Sequence, residues 1–356
     1  MKPLKLVSLL FLLTACGADS EMNDKLSAVD DVFASFNSSE TPGVAVMIIK
    51  DGEIILKKGY GIADFDSQTS VSANSNFRLA SVSKQFTALS ILQLVERGEL
   101  TLNTTLKDIF PNYPTYGASI TIEHLLQHTS GILDYEPMIP EAQKRQVKDK
   151  DVLDYMYTVD DTYFPVGDGF KYSNTAFALL TQIIEKITGN PYREYLNKNI
   201  FGPLNMTNTL AFENGINEVP NRAYGYTVEG AEIRLTDQSV TSAVLGDGGI
   251  YSNLNDLFKW DQSLYTNSLL GRELLDLAFA NHTLNNGEPI NYGFGWWVEA
   301  YEGFNVNYHT GLSIGFRNII YRVPSEKFTV VILTNNDAGE ERISLDRAHM
   351  IMDIFY

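Results

Sequence analysis

Phe77-Arg78-Leu79-Ala80-Ser81-Val82-Ser83-Lys84-Gln85-Phe86-Thr87-Ala88 sets a serine hydroxyl and a lysine amine three residues apart at the start of an apolar helix. That helix is predicted to continue through Leu89, Leu92 and Val95 and to stop at Gly98, so Ser81 and Lys84 lie one turn apart on the same face. A serine hydroxyl becomes a good nucleophile only when a base takes its proton. A lysine serves as that base only if burial or neighbouring charge lowers its pKa. The Ser-x-x-Lys spacing alone is weak, since ordinary residue usage produces about one such pair by chance in a chain of this length.

The context comes from three further stretches, because an activated serine also needs a proton shuttle, groups that orient the acyl substrate and donors for the oxyanion. Pro165-Val166-Gly167-Asp168-Gly169-Phe170-Lys171-Tyr172-Ser173-Asn174 puts a phenol and an amide two residues apart, in a glycine-rich loop just before a helix. Tyr308-His309-Thr310-Gly311-Leu312 is expected at the end of one strand and before the next. Gly246-Asp247-Gly248-Gly249-Ile250-Tyr251-Ser252 reads as a tight turn lining the site. No Gly-Lys-Ser/Thr follows these glycines, which argues against a phosphate cradle. Tyr-x-Asn also occurs at Tyr195, Tyr251 and Tyr265, so Tyr172 is selected by its flanks and not by the spacing.

Around these stretches the pattern is α/β. Leu26, Val29, Val32, Phe33 and Phe36 recur at helical spacing. Val44–Ile49 and Ile54–Leu56 form two strands across an Asp51-Gly52 hairpin. From 81 to about 289 the chain is mostly helical, with segments at 122–127, 151–157, 175–187 and 255–265. Strand patterns return at 292–298, 304–308, 316–323 and 328–334, and a helix from 344 to 356 closes the chain. The economical architecture is an antiparallel sheet built from both chain ends (about 24–80 and 290–356), flanked by terminal helices, with a large helical part (about 81–289) inserted. Residues 24–356 are read as one domain.

Composition narrows the function. The chain has 356 residues, 44% hydrophobic and 20% charged, with a formal net charge of −17, which is globular and argues against a nucleic-acid partner because no basic run is present. Lys2 and Lys5 precede an apolar run from Leu6 to Leu13 and then Thr14-Ala15-Cys16-Gly17. This reads as a signal peptide over 1–15, too short for a permanent span. The small residues before Cys16 resemble a bacterial lipoprotein cleavage box, which implies a lipidated Cys16, a tether over 16–23 and an anchor in the cell envelope, by analogy the outer membrane facing the periplasm. Cys16 is the sole cysteine, so no intramolecular disulfide is possible. His124 and His128 sit four apart without an acidic partner between them, and packing with hydrogen bonding is the better reading than metal ligation.

Taken with their flanks, Leu79-Ala80-Ser81-Val82-Ser83-Lys84, Leu125-Leu126-Gln127-His128-Thr129-Ser130-Gly131, Tyr172-Ser173-Asn174 and Gly248-Gly249-Ile250-Tyr251-Ser252 resemble the serine β-lactamase and penicillin-binding-protein superfamily. The likeness is to its class C-like branch of esterases, D-aminopeptidases and DD-peptidase relatives, and it covers nearly the whole mature chain. The resemblance implies a β-lactamase/transpeptidase-like fold and a serine hydrolase needing neither metal nor cofactor. It makes Ser81 the acylated nucleophile and Lys84 with Tyr172 the proton-transfer system. Lysine and phenol in contact titrate as a pair, so either can be the acylation base at this stage. It further implies that Asn174 bonds the substrate or Lys84, that the amides of Ser81 and Leu312 hold the oxyanion, and that Gly311 gives the substrate close access to the strand. His309 departs from the most familiar form of that box, where lysine stands. A histidine is only partly charged near neutral pH, so it suits a substrate carboxylate less well than lysine. The departure shifts weight towards small-molecule esters, amides or D-amino peptides without excluding β-lactams, so a true β-lactamase or DD-carboxypeptidase acting on penicillins or peptidoglycan peptides stays as the alternative, and it predicts a His309 titration near neutrality. A non-catalytic binding lipoprotein is the alternative of another class, and intact Ser81, Lys84 and Tyr172 argue against it.

Overall fold

The structure is a computed structural model describing residues 8–339 and 342–356, with side chains from residue 20 onward. The leader residues Lys2 and Lys5 and the side chain of Cys16 lie outside the described residues. Helix α1 runs Ser8–Val32, so helix extends back through the segment read as a tether. Among the described residues no helix is long and apolar enough to cross a membrane.

Strands β1 (Val44–Lys50) and β2 (Glu53–Tyr60) meet across Asp51 and Gly52, whose φ of +53° and +82° give the left-handed turn that an Asp-Gly hairpin favours. After the turn Ala80–Ser83 come α2 (Lys84–Glu96), stopped at Gly98 with φ +69°, and further on α3 (Asn174–Thr188), stopped at Gly189 with φ +67°. Strands β3 (Trp297–Tyr301), β4 (Phe304–Ser313), β5 (Phe316–Val323) and β6 (Phe328–Thr334) precede the closing helix α4 (Ile343–Phe355). The sheet order is β3-β4-β5-β6-β1-β2, antiparallel throughout, with β1 beside β6 in the register Val44↔Thr334 to Lys50↔Phe328. The expected antiparallel sheet from both ends of the chain is therefore the scaffold.

β1 is buried on both faces because each face is covered. Val44, Val46 and Ile48 pack under α1 and α4 with Val29, Phe33, Leu345 and Phe355. Ala45, Met47 and Ile49 pack on the other side with Phe86, Leu89 and the helical part. A buried ion pair ties that part to the sheet: Arg322 Nε on β5 donates to Asp261 Oδ1 at 2.7 Å, and Thr329 Oγ1 on β6 donates to the same oxygen at 2.8 Å.

Two strand expectations need correction. Residues 292–296 do not extend β3. Gly295 has φ +78°, a Cβ on Gly293 would lie 2.1 Å from the Ala278 carbonyl oxygen, and Tyr292, Phe294 and Trp296 are buried as the segment turns inward. β4 is longer than expected, so His309–Leu312 lie inside a paired strand and not beyond its end.

Removing one partner of a buried pair leaves an uncompensated charge, so Asp261→Ala is expected to cost about 3–5 kcal/mol. The check is the midpoint of a denaturant unfolding curve, with a shift below about 1 kcal/mol counting against the role.

Candidate active site

Ser81 sits in the tight turn Ala80–Ser83, and Lys84 is the first residue of α2. Ala80 is held at φ +50°, unusual for a residue with a Cβ. The turn is fixed from both sides. The Leu79 N–H donates to the Ile250 carbonyl at 2.8 Å, and the Ile250 N–H donates to Ser83 Oγ at 3.2 Å. β4 closes against it so tightly that a Cβ on Gly311 would lie 2.0 Å from the Leu79 carbonyl oxygen. Gly311 thus lets β4 approach the Ser81 turn, and Leu312 follows it at the rim of the site.

Lys84 is wholly buried, and its Nζ lies 3.1 Å from Ser81 Oγ, 2.9 Å from Asn174 Oδ1 and 2.8 Å from the Asp247 carbonyl oxygen. Burial pulls its pKa down and the Asp247 and Glu136 carboxylates push back, leaving it at about 8. Asn174 is oriented by Glu136, whose Oε1 accepts from Asn174 Nδ2 at 2.9 Å, so that Oδ1 faces the lysine.

Tyr172 immediately precedes the α3 N-cap Ser173, whose Oγ accepts from the Ala176 N–H at 3.1 Å. That cap fixes the exit of the glycine-rich loop and hence the phenol. Its ring lies with the Lys84 Nζ 4.9 Å from the centroid, and its hydroxyl is buried without a partner at full hydrogen-bond geometry. Burial raises the phenol's pKa well above its ordinary value; the Ser81 hydroxyl acts weakly the other way.

His309 requires a correction. It is 1% exposed and stands behind Tyr172, with ring centroids 6.0 Å apart, and it does not line the cavity at Ser81. Its Nδ1–H donates to the Thr310 carbonyl at 2.6 Å and its Nε2 accepts from the Tyr292 hydroxyl at 3.0 Å, which fixes one neutral tautomer. Burial, then the nearby Lys84 charge, pushes its pKa down to about 3 against the Thr310 hydrogen bond, so it does not titrate near neutrality. His128 is equally buried, accepts from the Ser173 N–H at 3.0 Å and packs on Tyr172 and Tyr292. His124 caps its own helix, its Nδ1 accepting from the Thr121 N–H at 3.2 Å. Among the described residues no three His, Cys, Asp or Glu side chains gather as metal ligands.

Beside Ser81 opens a small cavity of about 130 Å³, lined among others by Arg78, Tyr135, Glu136, Asn174, Asp247 and Leu312. Ser81, Lys84, Tyr172, Asn174, Gly311 and Leu312 therefore converge. Sequence reasoning misses Glu136 and Arg78 and finds Asp247 only as part of the turn at 246–252: Asp247 reaches Lys84 through a main-chain atom, and Glu136 only through a distant asparagine.

The family model described as Beta-lactamase matches residues 29–351. The chain belongs to the beta-lactamase family. Penicillin-binding protein 4* of Bacillus subtilis (strain 168) is 30% identical over 334 residues, covering 89% of this chain and 73% of that protein. Protein flp of Staphylococcus aureus (strain MRSA252) is 27% identical, and the match covers 88% of this chain but only 63% of that protein's length. Among solved structures, D-amino acid amidase from Ochrobactrum anthropi SV3, complexed with L-phenylalanine amide, superposes with a TM-score of 0.80 at 22% identity, covering 93% and 98% of the two chains; that likeness concerns the fold. As a member of the beta-lactamase family the chain is a serine hydrolase, with acyl-enzyme chemistry on ester or amide bonds.

The buried neutral state of His309 makes stability fall with acid. Its folded pKa lies below the unfolded value of about 6.5, so the contribution is present above that pH and is lost as pH drops towards 3. His309→Gln is expected to flatten that acid decline in melting temperature and to leave the neutral-pH limb of kcat/KM where it was; movement of that limb would return His309 to the titrating machinery.

Proposed function

We propose that Ser81 is the acylated nucleophile, that Lys84 in its neutral form is the acylation base, and that Tyr172 relays the proton to the leaving group. The carrying observation is the partner set of the Lys84 amine. A neutral amine has two N–H bonds and one lone pair, and two of its three neighbours, Asn174 Oδ1 and the Asp247 carbonyl, can only accept. The lone pair is left for the Ser81 hydroxyl. A lysine held near 8 supplies that form at working pH, whereas a phenol driven upward stays protonated and acts as a donor. The alternative of Tyr172 phenolate as base is thereby disfavoured. The amides of Ser81 and Leu312 are the proposed oxyanion donors.

We further propose small esters or amides as substrates, with an amine-bearing acyl group preferred to a carboxylate-bearing one. Two carboxylates, Glu136 and Asp247, line the cavity beside one guanidinium, that of Arg78, whose Nη1 donates to the Ser242 carbonyl at 3.0 Å; His309 is neutral and withdrawn. One structural neighbour is named a D-amino acid amidase, which agrees with this reading, while the relative at 30% identity is named a penicillin-binding protein. Ser81→Ala is expected to abolish fluorophosphonate labelling, and Tyr172→Phe to lower kcat by roughly 10². In a turnover panel of p-nitrophenyl esters, D-amino amides, nitrocefin and D-alanyl-D-alanine peptides, the first two should lead. Labelling that persists in Ser81→Ala, or nitrocefin as the best substrate, would falsify the corresponding part.

Export as a lipoprotein is proposed on the leader alone: Lys2, Lys5, the apolar run and the sole cysteine after small residues. Cys16→Ala should end labelling by a fatty-acid probe in expressing bacteria and release the protein from the envelope membrane fraction.

A further inference from the structure

We infer that Asp247 is a positioning residue for Lys84: its main-chain carbonyl fixes the amine, and its carboxylate opposes loss of the amine's charge. The inference rests on the reading of Ser81 and Lys84 as nucleophile and base.

The carbonyl accepts from Lys84 Nζ at 2.8 Å and cannot drift, because the one-turn segment Leu245–Gly248 that carries it is clamped. The Asp149 carboxylate accepts from the Leu245 and Gly246 N–H groups at 2.8 and 3.0 Å, and Thr87 Oγ1 donates to the Gly246 carbonyl at 2.8 Å. A Cβ on Gly246 would stand 1.9 Å from Thr181 Oγ1. The side chain is confined too: Asp247 is 8% exposed, and its Oδ2 accepts from the Tyr135 hydroxyl at 3.2 Å. One residue therefore holds the base by its backbone and, from the same Cα, carries a carboxylate into the cavity that Ser81 lines.

The groups facing Asp247 come from each neighbouring element. They are Lys84 from α2, Tyr135 and Glu136 from the turn before residue 139, Tyr172 from the loop before α3, Arg78 from the short strand Phe77–Arg78, and Asp149 from the helix Asp149–Met156. Around Lys84 itself stand Glu136, the Tyr172 ring, and the buried imidazoles of His128 and His309. Of the two carboxylates raising the lysine's proton affinity, Asp247 has the larger effect. It is itself pushed up, mainly by burial and against the pull of Lys84.

The sign follows. A carboxylate beside an ammonium favours the ammonium, and only the neutral amine accepts the Ser81 proton. Replacing Asp247 with an uncharged isostere keeps the carbonyl and frees the amine at lower pH. A weaker base also takes the proton less avidly, so the rate well above the titration falls. Asp247 thus trades activity in mild acid for a base matched to neutral and slightly alkaline pH.

The test is the pH profile of kcat/KM for p-nitrophenyl acetate with wild type, Asp247→Asn and Tyr135→Phe. Asp247→Asn is expected to move the acid limb to lower pH by about one unit and to lower the alkaline plateau a few-fold. Tyr135→Phe removes the hydrogen bond and keeps the charge, so it should not move the limb down. An acid limb that stays put or moves up in Asp247→Asn overturns the inference, and so does a downward shift in Tyr135→Phe as large as that in Asp247→Asn. If Asp247→Asn fails to fold, Asp247→Ser is read by the same criterion. Fluorophosphonate labelling of wild type and Ser81→Ala, run alongside, separates failure of this inference from failure of the Ser81 reading.

Discussion

A lysine amine shut off from water is the constraint around which this molecule is arranged. Its burial costs solvation, and the cost is met without an ion pair on the amine: an amide oxygen, a main-chain carbonyl and the serine hydroxyl surround Lys84. Each neighbour is held by something else. Asn174 is turned by Glu136, the Asp247 carbonyl is fixed by the clamped turn, and Ser81 is pinned between Ile250 and β4. The site is in this sense a packing solution for one buried amine, and Ser81 gains that amine as a close neighbour as a result.

The aromatic and imidazole groups behind Tyr172 complete that environment. His128, Tyr292 and His309 form a buried wall in which every ring stays neutral, so none of them adds a charge beside Lys84 or the phenol. Low polarity on one side and carboxylates on the other divide the site into a proton-handling half and a substrate-facing half.

Much of this was legible because local rules set it. The spacing of Ser81 and Lys84 survives as one helical turn although the serine lies in a tighter turn just ahead of α2. Tyr172 and Asn174 flank the helix cap Ser173, and the Asp51-Gly52 hairpin begins the sheet, both from short-range chemistry. What could not be read depends on distance. Sequence gives the type of His309 but not the dielectric around it, and the contact of Lys84 with a main-chain oxygen of Asp247 leaves no mark in residue identity. Residues 292–296 carry a strand's aromatic content, yet Gly293 and Gly295 turn those rings into the core, where tertiary burial outweighs propensity.

The pairing of β1 with β6 has a consequence for biogenesis. Gly43, next to β1, donates its N–H to Asn335, next to β6, across 292 residues of chain, so the centre of the sheet closes only after nearly the whole polypeptide exists. Closing so long a loop is entropically late, and contacts of this separation slow folding. A chain emerging from the ribosome therefore carries helical segments with exposed apolar faces but no assembled Ser81 turn, since β4 must arrive before Ser81 is buttressed. The turn that carries Ser81 is complete only once the C-terminal strands have docked, which makes the order of synthesis itself a control on when the site can exist.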